Sequence, residues 1–434
     1  MSFELDLTFE FEILNLFYSP HDIISISRMI KRLLYTVSII IIITAGAVGV
    51  IAYSRGYRFN VNKKTITTTG ILSVSSFPEK ASIWIDDKLI SATNASITLP
   101  PGWYNVRVSK EGYLSWEKKV RLQGEIVSQV DALLIPNNPS LRALTISGVS
   151  SPILSPDGTK AVFIIPPEGQ TGTSSAKPKY GLWLIEYKNN PLGGKSDPKL
   201  LFQPATTYNW KNTRLYWSPD EKQVILTFLK KDARKETTQS AQLISTDNNQ
   251  STEITSNYLE QLKVWEEETK AKEQLQISTL NTALVDFFTR STDHLRFSPD
   301  DNKILYQATA SATLPQILTP AIIGSNSTEE IRKITPGTFY IYDFKEDKNF
   351  AVGDKKTISQ PESVTWYTDS KHIIMIEKET IYIVDYDGTN KRAAYTGPFE
   401  DSVVYPWPGG NRLVILTSLN KPNTLPNFYE VDLR

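Results

Sequence analysis

Residues 295–308 read LRFSPDDNKILYQA, and the same frame recurs through the second part of the chain. ILSPDGTKAVFII stands at 153–165 and LYWSPDEKQVILTF at 215–228, with looser copies VTWYTDSKHIIMIE at 364–377 and VYPWPGGNRLVILT at 404–417. Each copy is a strand, a tight Asp/Gly turn and a second strand. A third strand follows each, at 181–187, 241–246, 338–344, 380–385 and 428–433, and a fourth often follows, as at 391–395. Sequence repeats of this kind mark a repeat architecture, and four strands repeated radially make a β-propeller. The expectation is a five-bladed propeller over residues 140–434. The third strand of the fifth repeat lies directly before Arg434, which leaves that blade an edge of unpaired backbone groups. The strand-like segment 141–147, LRALTIS, belongs to no complete blade. It is predicted to latch the ring, with 142–146 pairing antiparallel to 428–433.

The W/F-S-P-D frame is similar to the TolB-type, WD40-like propeller repeat. That resemblance implies a fold and no particular activity, because propellers host many unrelated functions. The turn residues Asp157, Asp220, Asp300 and Asp369 invite a catalytic or metal reading. A structural role explains them better: an Asp at a turn bonds its own backbone two residues on, and every blade needs the same turn. A site instead needs different roles at different positions. Asp385-Tyr386-Asp387-Gly388 opens like a calcium loop, but Thr396 stands where the twelfth-position Glu belongs, so a hairpin is expected.

Two insertions interrupt the repeats. Residues 166–180, PPEGQTGTSSAKPKY, read as a flexible loop. Residues 257–290 read as helix, with Asn257 as N-cap and Glu260 at N3. Leu262 and Trp265 mark an apolar face; Ile277, Leu280, Leu284 and Phe287 then recur at helical spacing. The charged stretch LKVWEEETKAKEQ has a solvated outer face. The insert is read as a lid packing on the propeller rim in preference to a projecting binding arm, so deleting 258–288 is expected to leave the propeller folded.

Ahead of the propeller, residues 70–136 read as short strands joined by turns. Tyr104, Val106 and Val108 alternate with polar residues, the period of a half-buried strand. Asp86-Asp87 sits between two short apolar runs as a tight hairpin turn. GILSVSSFPEKASIWIDDKLI followed by LPPGWYNVRVSKEGYLSWEKKV resembles the PEGA domain, a small β-sandwich-like module of bacterial and archaeal surface proteins. The resemblance implies an extracytoplasmic, non-catalytic module. One departure falls in the name-giving turn, Pro78-Glu79-Lys80-Ala81, where Lys80 replaces a Gly able to adopt positive φ. Trp84, Trp103 and Trp116 are candidates for a sugar-stacking face, with strand packing the plainer role.

From Leu33 to Tyr53 the chain carries no charge and includes an unbroken run of isoleucines, Ile39 to Ile43. As a helix it reaches roughly 30 Å, the hydrocarbon thickness of a bilayer. Arg28, Lys31 and Arg32 precede it, and Tyr53, Arg55 and Tyr57 follow at the expected interface. A cleaved signal peptide is the rival, since Ala45-Gly46-Ala47 resembles a cleavage site. An uncleaved transmembrane helix is preferred because the apolar run continues past it. The short basic flank, single span and long C-terminal body together read as a signal anchor with the body outside. Residues 54–69 form a polar stem. Residues 1–28 are expected to be an over-called extension, with Met29 the true start.

The chain has 434 residues, 47 basic and 47 acidic, so no basic field points to nucleic acid. It has no cysteine, which excludes disulfides and thiolate-held metals. Its three histidines are His21, His294 and His372, with no His/Asp cluster at metal-ligand spacing, no G-x-S-x-G elbow and no phosphate loop. The reading is a single-pass prokaryotic envelope protein, all-β apart from its span and helical insert. It is expected to be non-enzymatic, without cofactor, metal or catalytic residue, and to bind an envelope protein or polysaccharide. The alternative is a propeller-based glycan or peptide hydrolase or lyase, which a carboxylate pair with a raised pKa facing the channel would favour. A transmembrane sensor is disfavoured, because residues 1–32 are too few for a signalling domain.

Overall fold

The repeat frames build five four-stranded antiparallel sheets. The strands of the first are Ser150–Leu154, Lys160–Ile165, Gly181–Glu186 and Lys199–Phe202. Thr213–Trp217, Gln223–Asp232, Lys235–Ser245 and Ser251–Glu253 form the second. Thr292–Phe297, Lys303–Ala308, Phe339–Asp343 and Lys348–Gly353 form the third. Val364–Trp366, His372–Glu377, Thr380–Asp385 and Arg392–Thr396 form the fourth. Val404–Pro406, Arg412–Thr417 and Asn427–Asp432 belong to the fifth. This computed structural model describes residues 20–54, 57–60, 65–167, 180–188, 197–203, 208–210, 212–232, 235–358, 360–400, 403–421 and 424–434. The loop expected at 166–180 falls mostly outside them, as do residues 1–19.

The second strand of each repeat is apolar on both faces because it is sandwiched between sheets. Ala161, Phe163 and Ile165 pack against Val414, Leu416 and Phe428 of the fifth sheet. Their alternates Val162 and Ile164 pack against Val224, Leu226 and Phe228 of the second. Leu305 and Ile341 meet Ile373 and Met375, while Ile374 and Ile376 meet Leu413 and Ile415. Each Val, Leu, Ile, Met or Phe among them contributes about 1.5–3 kcal/mol when fully buried.

The junction between the second and third sheets is built differently. Helix α2 (Tyr258–Ser278) brings Trp265 against Ile225 and Ala241 of the second sheet. Helix α3 (Thr282–Ser291) brings Leu284, Phe287 and Phe288 against Ile304, Tyr306, Tyr340 and Tyr342 of the third. Phe288 and Tyr306 are fully buried, with ring centroids 5.3 Å apart. The insert packs on the propeller, as expected, and buries Trp265, Leu284, Phe287 and Phe288 there, so deleting 258–288 would strip an apolar face from two sheets. Its capping also differs, since Asn257 makes no side-chain cap and Asn281 caps α3 by accepting from Ala283 N.

Ring closure follows the expected route. Leu141–Ala143 completes the fifth sheet, with Leu141 opposite Val431, Arg142 opposite Glu430 and Ala143 opposite Tyr429. The strand is shorter than 142–146: Leu144 N and Thr145 N both donate to Phe428 O, and Ile146 is 89% exposed.

Residues 70–133 form two further sheets. One runs in the order Lys88–Ala92, Ser82–Ile85, Gly102–Ser109, Trp116–Leu122; the other has Gly70–Phe77 between Ala95–Leu99 and Val127–Leu133. Asp86 and Asp87 both take positive φ, 47° and 62°, as a type I′ hairpin turn requires. The chain divides into two compact units, residues 1–72, 98–102 and 122–128 in one and 73–97, 103–121 and 129–434 in the other. The first unit contains helix α1 (Pro20–Ser54), whose Lys31–Ser54 portion has a mean hydropathy of 2.4 and no buried residue. By length and composition it is a candidate membrane span, and a signal sequence would have the same properties. Where a plain polar stem was expected, Arg58–Asn60 pairs with Thr65–Thr67 as a short antiparallel ladder.

Candidate functional site

The repeat aspartates are saturated by their own turns. Asp157 Oδ1 accepts from Ser155 Oγ at 2.6 Å and Thr159 N at 2.9 Å. Asp220 accepts from Ser218 Oγ and Lys222 N, and Asp300 from Ser298 Oγ and Asn302 N. Each Ser Oγ in turn accepts the backbone N–H that opens the next strand, from Lys160, Gln223 or Lys303. Among the described residues, no group of three or more His, Asp or Glu side chains could hold a metal ion. His294 lies apart at a strand irregularity, with φ 53°.

Asp157 has one unusual neighbour, Glu221, from the next repeat turn. Burial, reinforced by a hydrogen bond to Asp157, pushes Glu221 up to about 7. Burial works against ionisation of Asp157 too, yet the hydrogen bonds from Ser155 and Thr159 hold it at about 2.

The densest polar constellation lies where strand Trp116–Leu122 meets the turn after Thr380–Asp385. Gly388 shapes that turn at φ +80°, where an added Cβ would lie 2.6 Å from Ala351 O. Trp116 Nε1 donates to Asp385 Oδ2 at 3.1 Å, and Glu117 N donates to Asn390 Oδ1 at 3.1 Å. The Lys118 ammonium reaches Asp387, whose side chain has no exposed surface. Asp387 Oδ2 also accepts from Asn326 Nδ2 at 2.7 Å and Thr328 Oγ1 at 2.6 Å. Arg392 donates to Ser115 O, and Arg121 N donates to Ser327 Oγ at 2.9 Å. Beside this seam, Leu133 and Ile135 are buried with Tyr367, Ile381 and Leu433 of the propeller.

Behind Trp116, His372 is held between two carboxylates, Nδ1 at 2.6 Å from Asp369 and Nε2 at 3.3 Å from Asp385. Burial opposes its charge, but Asp369 and Asp385 outweigh that and keep the imidazolium protonated up to about 10. Burial likewise opposes ionisation of Asp387; Lys118, with the Thr328 and Thr389 hydroxyls, outweighs it and holds the group at about 2. The calcium-like opening Asp385-Tyr386-Asp387-Gly388 is thus a hairpin, with the Lys118 ammonium as its counter-ion. Lys118, Asn326 and Thr328 escaped sequence reasoning, because nothing local marks partners 59 to 269 residues from Asp387.

The name-giving turn keeps its shape without glycine: Lys80 takes φ 61°, and its N–H donates to Thr93 O. Residues 69–138 match the PEGA domain. No curated protein matches the chain. Among solved structures, TolB from Acinetobacter baumannii is similar at 12% identity, covering 76% of this chain and 59% of that one, with a TM-score of 0.18. A putative TolB from Agrobacterium tumefaciens is 12% identical, with 85% and 99% coverage and a TM-score of 0.19. The Pyrococcus horikoshii acylaminoacyl peptidase is 11% identical, with 83% and 44% coverage and a TM-score of 0.16. At such TM-scores these likenesses carry no argument; the propeller rests on its sheet order and packing.

The PEGA tryptophans have three different fates. Trp116 is buried in the seam. Trp84 donates from Nε1 to Ser109 Oγ and lies under the Arg107 guanidinium, 4.8 Å from its ring centroid. Trp103 is 51% exposed, with Lys119 Nζ 5.4 Å and Arg121 Cζ 6.0 Å from its ring centroid. Trp103 is the exposed one of the three, so the structure does not bring all three into a shared stacking face.

Proposed function

We propose that the chain is a membrane-anchored, extracytoplasmic binding or scaffold protein of the cell envelope, presenting a PEGA–propeller body for recognition of a protein or polysaccharide. The supporting observation is the seam. A PEGA strand held to the propeller by a buried ion pair and a Trp–Asp–His–Asp chain stays in one orientation, because separating the partners leaves uncompensated buried charge. Fixed orientation suits the presentation of a surface, and the apolar helix α1 supplies a candidate anchor. Cell fractionation tests the reading: the protein is expected with membranes, released only by detergent, and its 70–434 portion cut by protease added outside intact cells. A soluble form beginning near Val48 would overturn the anchor, and protection from external protease would overturn the orientation.

The hydrolase or lyase alternative is favoured by one observation, the pairing of an ionised Asp157 with a Glu221 that titrates near neutrality. Turnover of a glycan or peptide panel that is lost in Glu221→Gln supports it; no turnover by the unaltered protein removes it.

A further inference from the structure

Strands Gly102–Ser109 and Trp116–Leu122 turn Val106, Val108, Val120 and Leu122 inward and set Trp103, Arg107, Lys119 and Arg121 on the opposite face. Beside them a cleft of about 320 Å3 is lined by Asp87, Asn105, Arg107, Glu117 and Lys119. Lys118, which also borders the cleft, turns its ammonium to Asp387, whereas Lys119 and Arg121 have no carboxylate partner among the described residues. We propose that this face of the PEGA sheet binds an acidic polysaccharide strand whose sugars carry carboxylates, a uronate polymer. The inference rests on the binding reading above and names the ligand class.

Three features support that occupant. An indole half open to solvent offers an apolar face to the C–H surface of a pyranose ring, and it is the large exposed aromatic of this sheet. Lys119 and Arg121 lie two residues apart on one strand, about 6.7 Å along it, so they meet successive acidic groups along a chain and not one carboxylate. The cleft adds Asn105, Asp87 and Glu117, whose oxygens accept hydrogen bonds from sugar hydroxyls. A membrane surface would offer those two carboxylates fewer hydroxyl donors than a polysaccharide does.

The test uses the full chain in detergent micelles, titrated with a β-1,4-mannuronate hexamer and with β-1,4-mannohexaose, which has the same backbone without the carboxylates. Binding of the acidic hexamer alone is expected, weakening as salt rises. Trp103→Ala is expected to weaken it about tenfold, the cost of one aromatic contact. The exposed pair Lys119→Gln/Arg121→Gln, which leaves the seam intact, is expected to abolish it. Equal binding of both hexamers, or acidic binding unchanged in both variants, overturns the proposal. So does failure of the acidic hexamer to bind, or variant-sensitive binding to phosphatidylglycerol vesicles in its place. A chain that fractionates with membranes and is cut from outside, yet ignores the hexamer, loses this inference while keeping the broader function.

Discussion

The serine–aspartate turns of the repeats and the Asp385–Gly388 turn both carry aspartates at hairpins, yet their carboxylates do opposite jobs. Asp157, Asp220 and Asp300 are satisfied within a few residues by a Ser hydroxyl and a backbone N–H. Asp387 closes its own turn through Thr389 in the same way, with Oδ1, but turns Oδ2 to a PEGA strand and to the 326–328 loop. A locally closed turn stabilises one hairpin. A turn whose second carboxylate oxygen reaches distant donors also joins two parts of the chain, and there burial makes the charge matter more.

The contrast is broken most directly at Asp387. Asp387→Ala leaves the Lys118 ammonium buried without a counter-ion, at an expected cost of about 3–5 kcal/mol by chemical denaturation. Replacing Lys118 by Met in the same variant should recover much of that loss; no recovery would mean that Asp387 acts through its turn.

The next largest effect is expected from pH. His372 titrates near 10 in the fold against about 6.5 unfolded, so its contribution is complete below about 6.5 and disappears as pH rises toward 10. Asp387 lies near 2 against about 3.9 unfolded, so its contribution is present above about 3.9 and is lost as pH falls toward 2. Amide exchange at Glu117 and Arg121, corrected for intrinsic rates, should therefore be slowest between these limits. His372→Gln should remove the alkaline limb and leave the acid one.

Asp220→Ala removes a local carboxylate from an exposed turn and should cost only about 1 kcal/mol, because water replaces its hydrogen bonds. A loss as large as that of Asp387→Ala would erase the distinction between the two kinds of turn. The smallest effect separates sequence distance from burial. Arg142 pairs with Glu430 at 3.4 Å across the ring closure, but the Arg142 side chain is 55% exposed. Arg142→Gln should cost about 0.5 kcal/mol, despite a separation like that of the seam.

The apolar runs of the repeats, the turn residues, the latch segment and the long apolar helix are local patterns, and each is legible in the sequence. Period-2 alternation and Asp/Gly turns are imposed on a strand by its own backbone, so five sheets and their closing strand could be read from the chain alone. The helical insert was legible as a helix that packs, but spacing reveals an apolar face and not what covers it. Only tertiary structure set Trp265 against the second sheet and Phe288 against the third. It alone chose which tryptophan stayed open, since Trp103 and Trp116 both stand on strands and differ only in what packs over them. The seam was also decided there: a buried carboxylate is stabilised by whichever donor the fold brings within about 3 Å, and sequence separation sets no limit on that donor.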